Sequence, residues 1–193
     1  MSQHKKNYLS HEEKERLMRE ALAEARKGMG EGEAPIGSVL ALPNQSTPGK
    51  ARIIARGHNR INALQRKIAH AEIVTFESAG GGNGMPPALP LDATDVILVS
   101  TLEPCVMCLG AAMEAGVTYV LFGLEAPADN GTKRVKPLES PKSTAPEIEG
   151  GIFAEESRQL FEQWLQGKEG TDQAKFVEQL LALTPHRAAK SDK

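Results

Sequence analysis

The stretch Thr101-Leu102-Glu103-Pro104-Cys105-Val106-Met107-Cys108 holds both cysteines of the 193-residue chain, and it is read together with His70-Ala71-Glu72 upstream. Two thiols three residues apart behind a proline, with a histidine and a glutamate two apart, are what a catalytic zinc site requires. Three soft or borderline ligands hold the metal and leave a fourth position open for water. A Cys-x-x-Cys pair by itself also suits a redox couple or half of a structural zinc site. The His-Ala-Glu triplet and the preceding proline favour the catalytic site.

Local patterning places both motifs at helix starts. Residues 96–100 are an apolar, β-branched run of strand length, and Pro104 stands where a helix would begin. Ala111, Ala112, Met113 and Ala115 supply that helix interior, and residues 117–122 read as the next strand after Gly116. A strand–helix–strand unit of this kind predicts parallel pairing with a right-handed crossover. His70 and Glu72 fall in the first turn of another helix, supported by Ile73, Val74 and Phe76 and ending before Gly80. The free N–H groups and positive dipole end at a helix start favour thiolate over thiol. Cys105 and Cys108 then share one side of their helix, His70 closes the site from its neighbour, and zinc suits the mixed nitrogen and sulfur set. Glu72, close to the metal without being a ligand, is placed to shuttle protons, because zinc lowers the pKa of water to about 7. Its bland alternative is a first-turn carboxylate that only stabilises its helix.

Around this centre, Ser10 and Glu13 have capping-box spacing. Leu17, Met18, Ala21, Leu22 and Ala25 continue as an amphipathic helix to Gly28, with Glu12, Arg16, Arg19 and Glu20 on a solvated face. Residues 38–42 and 52–56 are short apolar strands joined by the turn-rich 43–50, which predicts a hairpin with an enlarged loop. Residues 58–67 read as a loop crossing the top of the sheet. The glycine- and proline-rich 80–90 cannot continue a regular element, and without a Gly-Lys-Ser/Thr ending it is no phosphate loop. Residues 124–146 form a long loop, a candidate lid. Its Lys133, Arg134 and Lys136 read as solvated, with a phosphate contact as the alternative. Residues 147–153 contribute a short last strand, and 155–165 form a helix whose Phe161 and Trp164 belong to the core. A final helix over 172–183 is expected to bury Phe176, Leu180 and Leu183.

Bulk properties narrow the partners. A formal net charge of -2 and a pI near 6.2 give no general pull toward polyanions. Residues 1–8 lack the apolar run of a secretory signal, and no stretch has transmembrane length. A close thiol pair in such a chain belongs in a reducing compartment, so a cytoplasmic protein is expected. One domain is predicted over 1–183, with a core at about 9–167, a helical extension at 168–183 and a flexible tail at 184–193.

His-Ala-Glu followed by Pro-Cys-x-x-Cys is the signature of the zinc-dependent cytidine deaminase superfamily. The chain resembles that superfamily over residues 34–165, counting Ala34-Pro35-Ile36-Gly37, Gly57-His58-Asn59 and Gly150-Gly151-Ile152-Phe153-Ala154-Glu155-Glu156. The wording of the cysteine motif looks like the branch of tRNA adenosine, guanine and cytosine deaminases. The resemblance implies one zinc per chain on His70, Cys105 and Cys108, with Glu72 as general acid and base. It also implies Asn59 as a contact to the substrate base, the backbone around Ala34 and Glu103 as pocket lining, and a homodimer. Pattern and resemblance together predict an α/β fold, a three-layer α/β/α sandwich around a mixed sheet of about five strands. The expected activity is hydrolytic deamination of a small-molecule nucleobase or nucleoside, with free guanine or a related base favoured. Mild acidity and residues 124–146, which differ from the substrate-binding segment of bacterial tRNA enzymes, point that way. A tRNA wobble-adenosine deaminase is the first alternative, and a non-catalytic zinc module for protein or RNA contacts is the second.

Overall fold

The computed structural model describes residues 9–80, 88–90, 93, 95–135, 145–168 and 170–186. Expectations for residues 1–8, for most of the glycine- and proline-rich stretch, for Lys136 and the rest of 136–144, and for the tail from 187 lie outside them. No helix among the described residues is long and apolar enough to cross a membrane.

The chain runs α1 (His11–Gly30), β1 (Gly37–Pro43), β2 (Ala51–His58), α2 (Ile61–Leu64), α3 (Ala71–Ala79), β3 (Val96–Leu102), α4 (Val106–Glu114), β4 (Val117–Leu124), β5 (Glu147–Gly150), α5 (Ala154–Leu165) and α6 (Asp172–Leu183). The five strands form one sheet in the order β2-β1-β3-β4-β5. The β1–β2 hairpin and the β1–β3 pair are antiparallel, whereas β3–β4 and β4–β5 are parallel. This is the predicted mixed sheet, including the parallel β3–α4–β4 unit.

Alternation along β3 shows how the layers assemble. Ile97 and Val99 pack with Val39, Ala41, Tyr119 and Leu121 beneath α1, while Leu98 packs with Leu40, Val120, Leu109 and Met113 beneath α3 and α4. Both faces of β3 are covered, so Val96-Ile97-Leu98-Val99 is a continuous apolar run and Ser100 and Thr101 are buried with it. A third cluster at the end of the sheet joins Ile36, Ala71, Leu102 and Ala126 to Phe161 and Trp164 of α5 and to Val177 and Leu180 of α6. Phe161 and Trp164 are core residues, as expected.

Two glycines set how closely the helices approach the sheet. A Cβ on Gly37 would lie 2.1 Å from the Ala21 carbonyl oxygen and 2.3 Å from the Ala25 nitrogen of α1. One on Gly57 would lie 2.6 Å from the Thr75 hydroxyl and 2.8 Å from the Thr75 nitrogen of α3. Only glycine permits such contact of backbone with backbone.

Two expectations need correction. Ser10 does cap α1, its hydroxyl accepting from the Glu13 amide at 3.2 Å, but Glu13 does not reach back to complete a capping box. The Ser10 amide donates to the Gly49 carbonyl instead, and the buried Glu13 carboxylate accepts from Arg16 and, at 2.9 Å, from the Ala51 amide. Tertiary partners have displaced the local motif. In α6, Leu180 is buried as expected, but Phe176 and Leu183 are 36% and 47% exposed, and Ala174 and Val177 take the inward face.

Glu13 therefore clamps α1 to β2. Its hydrogen bond from Arg16, and then the Ala51 amide, hold its carboxyl below the usual carboxylate range against the opposing effect of burial. A depressed folded-state value means that this stabilisation is present above the unfolded value of about 4.3 and is lost as pH falls through the folded one. Glu13→Ala also leaves a buried amide unpaired, so we expect a loss of about 2–3 kcal/mol in urea unfolding at pH 7. The difference from the parent protein should shrink on acidification below about pH 4.

Candidate metal centre and substrate pocket

α3 and α4 lie on the same face of the sheet, and their first turns meet beyond the end of β3. His70 is the N-cap of α3 and Cys105 the N-cap of α4, both in extended backbone. Cys108 lies one turn into α4 and is fully buried. His70 Nδ1 is 3.7 Å from each of the two sulfurs, which are 3.6 Å from one another. Zn–S bonds of about 2.3 Å and a Zn–N bond of about 2.0–2.1 Å in tetrahedral array separate ligand atoms by roughly 3.5–3.8 Å. The triangle matches three vertices of that tetrahedron, and its sulfurs are far beyond the disulfide length of about 2.05 Å. Among the described residues this is the single cluster of three or more His, Cys, Asp or Glu positioned to bind a metal.

The electrostatics suit a cation. The hydrogen bond from Cys108, followed by that of His70, brings the Cys105 thiol down to about 4 despite burial. The shared proton and burial push Cys108 up. His70 is raised, first by its bond to Cys105. Both cysteine shifts follow from one proton shared between two close sulfurs beside an imidazole.

Glu72, in the first turn of α3, is 3% exposed and accepts a hydrogen bond from Ser100 at 2.9 Å. Burial, the largest effect, pushes its carboxyl above the usual range. His70, Glu72 and Cys105 open together onto a cavity of about 330 Å³. Its far walls come from Ala34, Ile36, Asn59 and Ile61 on one side, Leu102, Glu103, Ala126 and Asp129 on another, and Asp172, Gln173 and Phe176 of α6 at the rim.

Of the remaining residues singled out from the sequence, Asn59, Ala34 and Glu103 also reach this cavity. Asn59 is held by its amide to the Ile36 carbonyl at 3.1 Å and by Oδ1 to the Ala71 amide at 2.9 Å, which leaves its side-chain NH₂ as a donor. Ala34 contributes an apolar wall. Glu103 contributes backbone, since its carboxylate is occupied by the Ala126 amide at 2.9 Å and by the Thr132 hydroxyl. It ties the loop after β4 to the cysteine turn. His58 is a packing histidine, buried between Glu24 at 3.0 Å and Glu31 at 3.2 Å. Arg134 donates to the Ala128 carbonyl at 2.7 Å and so braces its own loop.

Sequence reasoning did not assign Asp129, Asp172, Gln173, Phe176 or Ser100 to the site. Asp129 was hidden in a loop read only as a lid, and Phe176 was assigned to the core. Ser100 carried a signal, as a polar residue closing an apolar strand run beside the cysteine motif.

Residues 11–124, more than half of the chain, match the family of the cytidine and deoxycytidylate deaminase zinc-binding region. The chain belongs to this family. The family takes its description from a deaminase zinc-binding region, and the triangle of His70, Cys105 and Cys108 fits that metal. A tRNA-specific adenosine deaminase of Bacillus subtilis is 35% identical over 144 residues, 74% of this chain and 82% of that one. A tRNA(Ile)-lysidine synthase of Deinococcus radiodurans is 33% identical over 144 residues, 74% of this chain, but the chain spans only 23% of its length. The structure of a guanine deaminase from Nitrosomonas europaea superposes with a TM-score of 0.56 at 18% identity, covering 82% of this chain and 86% of that one, which shows a shared fold. Both the family and the fold expected from the sequence are thereby established.

Cys108 is buried behind the cavity and makes no contact with it, so replacing it tests metal binding apart from substrate binding. Purified protein should contain about one zinc per chain by atomic emission. Cys108→Ala should lose at least about tenfold in zinc affinity, read by chelator competition.

Proposed function

We propose that this chain is a zinc-dependent hydrolytic deaminase of a free nucleobase or nucleoside, with guanine or a related small base preferred. The observation that carries this proposal is the cavity of about 330 Å³ in which a buried carboxylate adjoins the metal-binding triangle while the chain's own α6 supplies the rim. That volume accommodates one base or nucleoside. Asp129 at its wall offers a carboxylate that suits the N–H donors of a base better than a phosphate, whereas Asp172 at the rim is exposed and paired with Lys175 at 3.1 Å.

In this scheme His70, Cys105 and Cys108 hold the zinc, which brings the acidity of water into the neutral range. Asn59 donates to the base, and the Ala34 and Glu103 backbone flanks it. Glu72 accepts a proton from the attacking water as oxygen adds to the ring carbon bearing the amine, and delivers it to the adjacent ring nitrogen. The same carboxylate then carries the second proton to the amine. The C–N bond breaks, ammonia leaves, and a carbonyl remains. Burial, which pushes the Glu72 carboxyl above the usual carboxylate range, favours its holding a proton between the two transfers.

A second proposal has its own support. Identity of 35% to the Bacillus tRNA-specific adenosine deaminase over most of both chains favours a wobble adenosine in tRNA as substrate. Ammonia release from guanine, cytosine, adenine, their nucleosides and a tRNA anticodon stem-loop separates the two. Turnover fastest on guanine is expected. Inosine formed only in the stem-loop, with binding that weakens steeply with salt, would overturn the free-base assignment.

Homodimeric assembly and a cytoplasmic location complete the proposal, the first from the family resemblance and the second from a thiol pair suited to reducing conditions. Glu72→Ala should retain zinc and lose about 10²–10⁴-fold in kcat. Full activity in that variant would refute the assignment of Glu72.

A further inference from the structure

We propose that Ser100 is a positioning residue for the Glu72 carboxylate: its hydroxyl, presented by the sheet beneath α3, fixes the orientation in which Glu72 exchanges protons. The inference rests on the role given to Glu72 above.

Ser100 closes the run Val96-Ile97-Leu98-Val99 and is fully buried. It pairs in register with Ser38 of β1 and Phe122 of β4, in the row of side chains that faces α3. A hydroxyl in such a row is unfavourable unless it finds a partner. Two other hydroxyls nearby show what an ordinary structural role looks like. Thr75 bonds to main chain, its one O–H donating to the Ala71 carbonyl at 2.7 Å with the Ser38 carbonyl at 3.3 Å as the alternative acceptor, and the buried Ser38 hydroxyl has no partner among the described residues. Ser100 alone of the three reaches a titratable side chain, donating to Glu72 Oε1 at 2.9 Å.

A glutamate has three rotatable side-chain bonds, and proton transfer between a water and a ring nitrogen demands one placement of its carboxylate. The α3 backbone fixes where Glu72 starts, whereas Ser100, from a different element, fixes where it ends. Holding Oε1 from the sheet side sets the direction in which the carboxylate faces the cavity that Glu72 lines. The strand is rigid and covered on both faces, so this hydroxyl cannot drift with the loops around the pocket.

Zinc-loaded Ser100→Ala, Ser100→Val and Ser100→Thr decide the matter, since Val and Thr share a shape and differ in the hydroxyl, and both suit a strand if the alanine variant fails to fold. Crystal structures should show Glu72 in more than one rotamer in the Ala and Val variants and in a single rotamer in Thr. With guanine as the probe, kcat should fall about tenfold or more in Ala and Val with KM within twofold, and recover within about threefold in Thr. A single, unmoved Glu72 rotamer in Ser100→Ala or Ser100→Val overturns the inference, as does an unchanged kcat, or a rise in KM alone. If the parent protein does not turn over guanine, the substrate assignment fails instead, and the Glu72 rotamer still decides the role of Ser100.

Discussion

The centre depends on bringing the first turns of two helices within the reach of one ion. Neither α3 nor α4 provides a complete ligand set, and they follow different strands, so the meeting is arranged by the sheet. The antiparallel β1–β3 pair and the parallel β3–β4 pair place β3 in the middle, and both helices lie on the face carrying Leu98 and Ser100. Gly57 lets α3 settle against β2 with no side chain between them. A bulkier residue there would lift His70 and Glu72 together, because both ride on the same turn. Close-packed interiors transmit such displacements rather than absorbing them.

A second theme is the use of buried carboxylates to hold loops. Glu33 accepts from the amides of Asn62 and Ala63 at 3.2 and 2.8 Å, steadying the turn that carries Ile61. Glu103 holds the segment containing Ala126 and Asp129, and Glu13 holds the far end of the hairpin. Each satisfies backbone amides that no helix or strand would pair, so the irregular backbone around the pocket is fixed without extending any regular element. Glu72, by contrast, bonds to a side chain, Ser100, and opens on the cavity. An amide pair between Asn62 and Gln173, at 3.2 and 3.4 Å, links α6 to the same turn at the rim.

Much of this was legible in the sequence, and the reasons are specific. The β3–α4–β4 unit was readable because an apolar run, a proline, an alanine-rich interior and a glycine follow one another in an order that few structures satisfy. The ligands His70, Cys105 and Cys108 were readable because metal chemistry restricts both residue type and spacing. What stayed hidden was whatever depends on distant partners. Glu13 has the spacing of a capping box yet turns inward to the Ala51 amide 38 residues away. Phe176 sits at core spacing on α6 but reaches the pocket rim, because Ala174 and Val177 pack more closely on α5. Asp129 lies in a loop without periodicity, so nothing local indicates where it points.

The two sulfurs 3.6 Å apart have a bearing on how the protein ages as well as on how it works. Two thiols at that distance need only a small side-chain movement, and an oxidant to take two electrons, to close a disulfide. Oxidant and ion therefore compete for the same pair of atoms. Coordination shields the cysteines, and their oxidation would bar the ion from returning. The sequence has no other cysteine to take the place of a ligand lost in that way.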